Sequence, residues 1–292
     1  MTTSQQEKSG IPGEWNPREV VDLLLEAGRR AASLRKGLRS ELKSDTSLVT
    51  AADREIESLL ASRFDHPDRG SYLIGEETVA QKGEDYIRAA LEGTAFVVDP
   101  IDGTAPYAHQ LPNWGISIGR MHRGKLTDGA VYLPDYRLLV ASDGPRVMEG
   151  TRDEGSELWS WRELSPPEVE AGPRGIIAIT QEMIKHGGLK IPNPVQALGA
   201  AVVPLVGILL GRFLAYAGSV RLWDFAGSLP LLHRLNFSVT HLRDLPGTPV
   251  GLEVGPVNYL LDPKDSYRWG IRGGLLACPP SEEEWIRKVL GV

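Results

Sequence analysis

An apolar run that ends directly in an acidic turn constrains the fold of this chain most strongly. Residues 95–98, Ala-Phe-Val-Val, have the pattern of a buried strand, and Asp99-Pro-Ile-Asp102-Gly-Thr104 follows at once. A second short run, Tyr72-Leu-Ile74, ends in the same way at Gly75-Glu76-Glu77. Short apolar runs bounded by turn residues are typical of buried strands. The sequence therefore predicts strands that deliver carboxylates at their carboxyl ends.

Periodic patterns elsewhere predict a layered α/β architecture. Apolar residues recur at helical spacing in several segments, and Asn16 before Pro17 is typical of a helix start. Between Trp114 and Ser142 the pattern changes to short strands and tight turns. Predicted helices cover 17–36, 50–64, 195–210 and 224–235, and predicted strands cover 115–119, 130–133, 138–141, 175–180 and 213–217. Such alternation favours helices packed in layers on sheets.

Composition excludes several classes of protein. The 292 residues carry a formal net charge of −6, so the chain lacks the broad basic face that nucleic-acid binding needs. The single cysteine, Cys278, excludes an internal disulfide and is typical of a reducing compartment. Pro204 and Arg212 interrupt the apolar stretch 197–217, which predicts a buried helix and strand instead of a membrane span. We therefore expect a cytoplasmic protein without a membrane segment.

A region rich in charge, proline and glycine, residues 143–175, predicts a boundary between two fused halves. A chain of 292 residues is long enough for one large domain or two fused sub-domains. We expect a flexible N-terminal tail over 1–13 and an α+β sub-domain with the metal site over 14–145. An α/β sub-domain over 146–292 would then supply Asp224 and the substrate contacts.

Asp99 and Asp102 are suited to hold hard cations beside a phosphate. Magnesium prefers oxygen ligands and completes its shell with water and substrate phosphate. Two ions about 4 Å apart need one carboxylate that bridges them and others that flank them. Because Pro100 and Ile101 turn the chain, Asp99 and Asp102 can share these tasks, and the Ile101 carbonyl is a further candidate ligand. Gly103 lets the backbone approach a phosphate closely.

The number of acidic residues also supports a metal site. One pocket would carry four negative charges, those of Glu76, Asp99, Asp102 and Asp224. Without cations these carboxylates would repel a phosphate and one another, which would raise their own pKa values. Two divalent cations cancel the four charges, and a third makes the pocket attractive to an anion. The sequence therefore predicts two or three Mg²⁺ ions.

Four ordered motifs resemble the inositol monophosphatase family, part of a superfamily of magnesium-dependent, lithium-sensitive phosphatases. They are Leu48-Val-Thr-Ala-Ala-Asp53-Arg-Glu-Ile-Glu57, Gly75-Glu76-Glu77, Asp99-Pro-Ile-Asp102-Gly-Thr104 and Trp223-Asp224-Phe-Ala-Gly227, with Lys43 upstream. The resemblance covers roughly 17–235, and the ordered set is specific where each motif alone is weak. It implies an αβαβα sandwich of the sugar-phosphatase type, usually a homodimer, that acts on a small phosphorylated metabolite.

The resemblance also implies a role for each motif residue. Metal ligation falls to Glu76, Asp99, the Ile101 carbonyl, Asp102 and Asp224. Orientation of the nucleophilic water falls to Thr104 and Asp53, assisted by Glu76. Contacts with the substrate fall to Asp102, Gly103, Thr104, Ala105 and Asp224. Lys43 and Arg221 are further candidates for contact with an anionic group.

The sequence departs from the family pattern where the substrate is recognised. Ala105-Pro-Tyr107 replaces a Thr-Asn-Phe type of sequence, and Gln196-Ala-Leu-Gly-Ala-Ala201 replaces an Arg-Ser-x-Gly-Ser/Thr-Ala motif. Ala217 stands where an acid that contacts inositol hydroxyls is common, and Arg234-Leu-Asn-Phe237 replaces a Glu-Ala-Gly-Gly turn. A site that loses its hydroxyl-binding groups loses selectivity for polyols. We therefore expect a preferred substrate other than free inositol phosphate.

Simpler structural interpretations stay open for several of these residues. Taken alone, Asp99 and Asp102 are compatible with a turn whose aspartates cap a helix, and Asp53 with a solvated acid in the first turn of a helix. Thr104 can be a helix N-cap. Lys43 can be a solvated lysine, and Arg221 can be a surface arginine at the end of a strand.

The sequence thus predicts a magnesium-dependent phosphatase that hydrolyses a small phosphate monoester by attack of a metal-activated water. An alternative within the same superfamily is a phosphatase for a sugar, histidinol or nucleotide phosphate. An alternative from a different class is a non-hydrolytic protein that binds metal and a phosphorylated ligand. The presence of Asp53 with Thr104 speaks against this last alternative, because binding alone needs no water-activating pair.

Overall fold

The computed structural model describes residues 13–36, 40–42, 48–186 and 190–292. The predicted tail over 1–13 falls, apart from Gly13, outside the described residues, and so does Lys43. No helix in the described part of the chain is both long and apolar enough to cross a membrane.

The first half of the chain consists of a helical layer and an extended sheet. Its elements are α1 (Pro17–Leu34), β1 (Ser40–Leu42), β2 (Leu48–Thr50), α2 (Ala51–Phe64), β3 (Ser71–Gly75), α3 (Glu84–Glu92), β4 (Thr94–Asp102), α4 (Thr104–Ala108), β5 (Gly115–His122), β6 (Lys125–Leu133), β7 (Leu138–Asp143), β8 (Arg146–Thr151) and β9 (Ser160–Glu163). The Asn16 side chain accepts the amides of Arg18 and Glu19 at 3.1 and 3.4 Å, as expected for the N-cap of α1.

The second half forms a shorter sheet with its own helices. Its elements are β10 (Ile177–Ile179), α5 (Gln181–His186), β11 (Val195–Gln196), α6 (Val202–Leu209), β12 (Ala215–Gly218), α7 (Leu222–Ala226), α8 (Leu229–Arg234), β13 (Ser238–His241), β14 (Leu275–Cys278) and α9 (Glu283–Leu290). Single 3₁₀ turns lie at Pro67–Arg69, Val79–Gln81, Pro134–Tyr136, Gly172–Arg174 and Pro280–Glu282.

The strands of the described residues form two main sheets. In the first sheet the strands lie in the order β3-β4-β5-β6-β7-β8-β9, where β3 and β4 are parallel and the other neighbours antiparallel. In the second sheet the order is β11-β10-β12-β14-β13. Since β3 and β4 run in parallel, their carboxyl ends meet at one edge of the first sheet. This is where both acidic motifs begin.

Three clusters of buried side chains define the layers. The first joins α1 and α2 to one face of the first sheet, for example through Leu24, Ile56 and Phe96. The second packs α6, α7 and α8 between the two sheets. The third joins the outer face of the second sheet to α9, for example through Leu276 and Ile286. The predicted αβαβα sandwich is therefore confirmed.

Two predicted helices need correction. The predicted helix over 195–210 starts only at Val202, because Gly199 adopts a positive φ of 76° and the chain before it is extended in β11. The predicted helix over 224–235 is divided into α7 and α8. Pro230 lies in the first turn of α8, and its missing amide cannot continue a helix from α7.

The region 143–175 contributes more to the first sheet than its composition suggests. Strands β8 and β9 lie within it and extend that sheet to Glu163. The change to the second sheet lies between Glu163 and Ile177, whereas the predicted boundary after residue 145 falls in the turn between the paired strands β7 and β8. The division into two sub-domains stays a prediction.

Candidate active site

A bulge at the end of β4 places Asp99 and Asp102 on the same side of the strand. Asp99 pairs with Ser117 and Asp102 with Gly115, so β4 has one residue more than β5 in this interval. Without an extra residue, positions three apart in a strand face opposite sides. The predicted turn at Pro100 is thus a bulge within a continuing strand, in which the Ile101 amide donates to Asp99 Oδ1 at 3.0 Å.

The chain leaves this bulge through a glycine in a left-handed conformation. Gly103 has φ = 88°, and a Cβ at this position would lie 2.7 Å from the carbonyl oxygen of Asn113. A side chain would therefore be both strained and obstructed. Gly103 is the N-cap of α4 and Thr104 its first residue, so the Thr104 hydroxyl has no N-cap role. The first amides of a helix have no partner within that helix and can bind an anion.

Close packing of α7 on the first sheet brings Asp224 to the same place. A Cβ on Gly119 would lie 2.5 Å from the Ala226 carbonyl oxygen, and one on Gly129 would lie 2.2 Å from that of Gly227. Glycine is therefore needed in β5 and β6 where α7 contacts them. The Asp224 carboxylate is held by the Arg221 amide, which donates to Oδ2 at 2.8 Å.

The carboxylates of β4 and α7 form a tight group. One oxygen from each of Asp99, Asp102 and Asp224 lies within 4.8 Å of the others. Each aspartate also accepts a backbone amide, which for Asp102 is that of Val202 at 2.6 Å. These hydrogen bonds fix the carboxylates in place. An arrangement of several oriented oxygens is the kind of site that Mg²⁺ prefers.

Burial and mutual repulsion raise the pKa values of the three aspartates. Burial is the main cause for each, and the pKa values of Asp99 and Asp224 are raised well above their ordinary range. Amides of Val202 and Ala201 moderate the effect on Asp102, whose pKa is raised to about 7. Negative charge on Glu76 raises the pKa of all three, which shows that this side chain is close to the group.

Glu76 reaches this position because β3 and β4 remain paired beyond the end of β3. The Glu76 amide donates to the Val98 carbonyl at 3.3 Å, directly before Asp99. Glu76 is not part of the tight group of three within the described residues. It therefore lies at the side of the aspartates, and its influence on them is electrostatic.

A second pair of polar residues lies beside the bulge. Asp53, in the first turn of α2, is fully buried, and its Oδ1 accepts the Thr104 hydroxyl at 3.0 Å. The same hydroxyl lies 3.2 Å from the Ile101 carbonyl oxygen. The alternative of a solvated Asp53 is therefore wrong. The contact joins helix α2 to the start of α4.

A cavity of about 220 Å³ opens beside Asp102 and Asp224. In the described part of the chain, the other residues of its wall are uncharged: Ile179, Thr180, Gln181, Gly199, Ala200, Ala201, Tyr216 and Ser219. Ala217 is fully buried in β12 and lies outside this lining, whereas Tyr216 and Ser219 on either side of it face the cavity. Sequence reasoning considered Ala217 and missed Tyr216 and Ser219. The orientation of β12 decides which side chains reach the cavity, and the sequence alone does not give that orientation.

Arg221 lies beside the site without lining this cavity in the described residues. Its guanidinium carbon is 4.9 Å from the centre of the Tyr267 ring and 5.9 Å from that of Trp223. Its positive charge lowers the pKa of Asp224, against the larger effects of burial and neighbouring acids. Arg221 is thus half-buried against two aromatic rings, and is not a solvated surface residue.

Sequence reasoning also missed a role for Glu57. This residue lies in α2 and is 1% exposed, and burial is the main cause that raises its pKa. Its Oε2 accepts the Glu77 amide at 2.8 Å. The spacing was the available signal, since residues four apart lie on one face of a helix and Asp53 is four residues before Glu57.

Comparison with known proteins gives a consistent result. The model of the inositol monophosphatase family matches residues 18–253. The inositol-1-monophosphatase of Bacillus subtilis is 28% identical over 239 residues, which cover 76% of this chain and 84% of that protein. Inositol monophosphatase 1 of Homo sapiens is 32% identical over 229 residues, which cover 72% of this chain and 79% of that protein.

Solved structures share the fold. An IMPase of Thermotoga maritima has a TM-score of 0.69 at 18% identity, with coverage of 94% of this chain and 96% of that one. An IMPase/NADP phosphatase complexed with Mg²⁺ and phosphate has a TM-score of 0.64 at 18% identity, with 94% of each chain covered. SaIMPase-II with bound 2′AMP has a TM-score of 0.66 at 23% identity, also with 94% of each chain covered.

Proposed function

Because the chain belongs to the inositol monophosphatase family, and is thereby a phosphoric monoester hydrolase, we propose that it hydrolyses a small phosphate monoester at the aspartates of β4 and α7. The observation that carries this proposal is the group of three aspartate oxygens within 4.8 Å of one another, from the buried Asp99 and Asp102 and the partly buried Asp224. The hydrogen-bonded pair of Thr104 and Asp53 lies directly beside it.

The residues present fit a magnesium site. Buried aspartates with raised pKa values repel one another, and a divalent cation removes that repulsion. Hard oxygen donors are the ligands that Mg²⁺ prefers. We assign the ligands to Glu76, Asp99, the Ile101 carbonyl, Asp102 and Asp224, for two or three ions. Bound magnesium supplies a more acidic water and stabilises charge on the leaving oxygen.

Thr104 and Asp53 would orient the attacking water. The Thr104 hydroxyl donates its proton to Asp53 Oδ1, so its oxygen lone pairs are left to accept a proton from water. The buried Asp53 carboxylate, as the acceptor of this hydrogen bond, keeps the hydroxyl in this orientation. Glu76 is the second acidic group that we assign to the water. A water held by two acceptors presents a lone pair to phosphorus.

The start of α4 would hold the phosphate. The amides of Gly103, Thr104 and Ala105 lie where helix amides lack partners, and Gly103 lets the phosphate approach the backbone. Asp102, directly before Gly103, and Asp224 line the neighbouring cavity. We therefore assign them contacts with the substrate as well as with metal.

The substrate's alcohol would occupy the uncharged cavity beside Asp102. Among the described residues its wall offers neutral groups such as Gln181, Tyr216 and Ser219, and no acid besides Asp102 and Asp224. We propose an alcohol other than inositol, since the described wall holds no further acid that could accept hydrogen bonds from the hydroxyls of a polyol. A sugar, histidinol or nucleotide phosphate is the alternative within the superfamily, and the 2′AMP bound to SaIMPase-II favours testing nucleotides.

Phosphate release from a panel of monoesters tests the proposal. We expect release that requires Mg²⁺, stops with a chelator and is inhibited by lithium. Asp224→Asn should be inactive, and Glu55→Gln, a change at an exposed position of α2, should be fully active. Folded, metal-loaded protein that releases no phosphate from any ester would contradict the proposal, as would release by Asp224→Asn.

A cytoplasmic location and a homodimeric state remain proposals. They rest on the single cysteine and on the family resemblance. Sedimentation of the purified protein at several concentrations measures the second directly. A species of monomer mass throughout would contradict the dimer.

A further inference from the structure

Glu57 connects helix α2 to the segment that carries Glu76. The Glu77 amide donates to Glu57 Oε2 at 2.8 Å, across twenty residues of sequence. The same carboxylate is approached by the amide and the hydroxyl of Thr78, both of which lower its pKa. Its Oε1 and the Thr78 hydroxyl oxygen are buried, and neither meets the distance and angle of a hydrogen bond with any group in the described part of the chain. The carboxylate therefore lies inside the turn that follows β3.

The absence of a side chain at Gly75 leaves the space that this carboxylate occupies. A Cβ on Gly75 would lie 2.4 Å from Glu57 Cδ and 2.5 and 2.6 Å from its two oxygens. Any other residue at position 75 would therefore displace the Glu57 side chain or the chain end of β3. The next residue after Gly75 is Glu76, which influences all three aspartates.

Burial of the Glu57 carboxylate, taken by itself, lowers the stability of the fold. Burial of a carboxylate is unfavourable, and the nearby charge of Glu76 adds repulsion. An apolar side chain at this point of α2 would pack against the same core without either cost. What the carboxylate supplies in return is its contact with the segment after β3, above all the acceptor for the Glu77 amide.

We propose that Glu57 is a positioning residue, whose carboxylate holds the Gly75–Thr78 segment so that Glu76 is correctly placed beside Asp99. Helix α2 then positions two separate parts of the site. Asp53 accepts the hydroxyl of Thr104, and Glu57 accepts the amide that follows Glu76. This inference rests on the proposed metal-dependent hydrolysis. It adds a residue that touches neither metal nor substrate.

The first test is Glu57→Gln, which keeps the shape of the side chain but replaces one acceptor oxygen by a donor group. Loss of a group that orients a metal ligand commonly lowers metal affinity about 10–100-fold. We expect a loss of this size for Mn²⁺, titrated calorimetrically into metal-free protein without substrate. Mn²⁺ is a suitable probe because it shares the oxygen ligands of Mg²⁺. Glu55→Gln, with the same change of charge on the same helix, should bind Mn²⁺ like the unmodified protein.

Hydrogen exchange gives a second readout that needs no metal. The Glu77 amide should exchange faster in Glu57→Gln, while amides in β14 should keep their protection. Equal protection of the Glu77 amide in both proteins would overturn the proposal, since the bond to Glu57 would then not hold the segment.

A pair of compensating substitutions distinguishes a positioning role of Glu57 from a role in packing alone. Gly75→Ala should lower both stability and Mn²⁺ affinity, because its Cβ collides with Glu57. In the double variant Glu57→Ala, Gly75→Ala, the new methyl group enters the space that the carboxylate leaves. We expect stability to recover relative to Gly75→Ala while Mn²⁺ affinity remains at least tenfold weaker.

The outcomes distinguish this inference from the proposed function. Unmodified protein that neither binds Mn²⁺ nor releases phosphate would contradict the proposed function and this inference with it. Unmodified protein that does both, together with unchanged Mn²⁺ affinity in Glu57→Gln, would overturn only the positioning role. Recovery of stability and full Mn²⁺ affinity in the double variant would also overturn it.

Discussion

Asp102→Asn should make the metal-free protein more stable and should reduce the additional stability that bound metal provides. The asparagine carbonyl oxygen can still accept the Val202 amide, a bond that measures 2.6 Å for Asp102. The substitution therefore removes the charge while it keeps the backbone contact. Burial and nearby acids raise the pKa of Asp102 from 3.8 to about 7.

The raised pKa fixes the sign and an upper limit of the effect. The folded protein holds the Asp102 proton more tightly than the unfolded chain, so stability falls as pH rises from about 4 to about 7 and stays low above it. A shift of roughly 3 pKa units corresponds to about 4 kcal/mol. This value is an upper limit, since the repulsion is shared with neighbouring carboxylates. At low pH Asp102 is protonated in both states and the penalty disappears.

Urea unfolding in the presence of a chelator measures this effect. At pH 8 we expect Asp102→Asn to raise the free energy of unfolding by 1 kcal/mol or more, up to about 4 kcal/mol. At pH 4 the two proteins should differ little. Magnesium at 100 times its dissociation constant should stabilise the unmodified protein by about 2.7 kcal/mol and the variant much less. A less stable variant at pH 8 without metal, or an equal gain from magnesium, would refute the reasoning.

Two further predictions follow from the contacts of the site. Thr104→Val removes the hydroxyl that donates to Asp53, so kcat should fall about 10²–10⁴-fold with KM nearly unchanged, and adding Asp53→Asn should cost little more. Steady-state kinetics of the two single variants and the double variant measure this, and additive losses would argue against a shared role. Gly129→Ala should displace α7, because its Cβ would lie 2.2 Å from the Gly227 carbonyl oxygen. The magnesium concentration for half-maximal activity should therefore rise, whereas Gly83→Ala, whose Cβ would meet nothing within 4 Å, should leave it unchanged.

Local patterns predicted much of the fold and the members of the candidate site. Strands that end in acids were recognisable because apolar runs stop abruptly before Glu76 and Asp99. The order of the motifs identified Asp53 and Asp224, which lie far from β4 in sequence. Each of these signals is contained in a short segment, and the family resemblance joins the segments without any knowledge of their contacts.

Features that depend on contacts between distant segments could not be predicted in the same way. The bulge at Asp99 becomes visible only from its pairing with Ser117 in β5. The break between α7 and α8 needs both Pro230 and close packing on the first sheet. Glu57 resembles any acid of an amphipathic helix until Gly75 is seen to lie against it.

The central claim is that Glu76, directly after β3, and the aspartates of β4 and α7 together form a divalent metal site. Anomalous diffraction from crystals soaked in Mn²⁺ tests it most directly, because the ion positions are then observed without an assumption about activity. The account predicts two or three peaks among the carboxylates of Glu76, Asp99, Asp102 and Asp224. In crystals of Asp102→Asn, each of these peaks should have a lower occupancy. Ordered Mn²⁺ only at other acids of the protein, or none near Asp99, would contradict it.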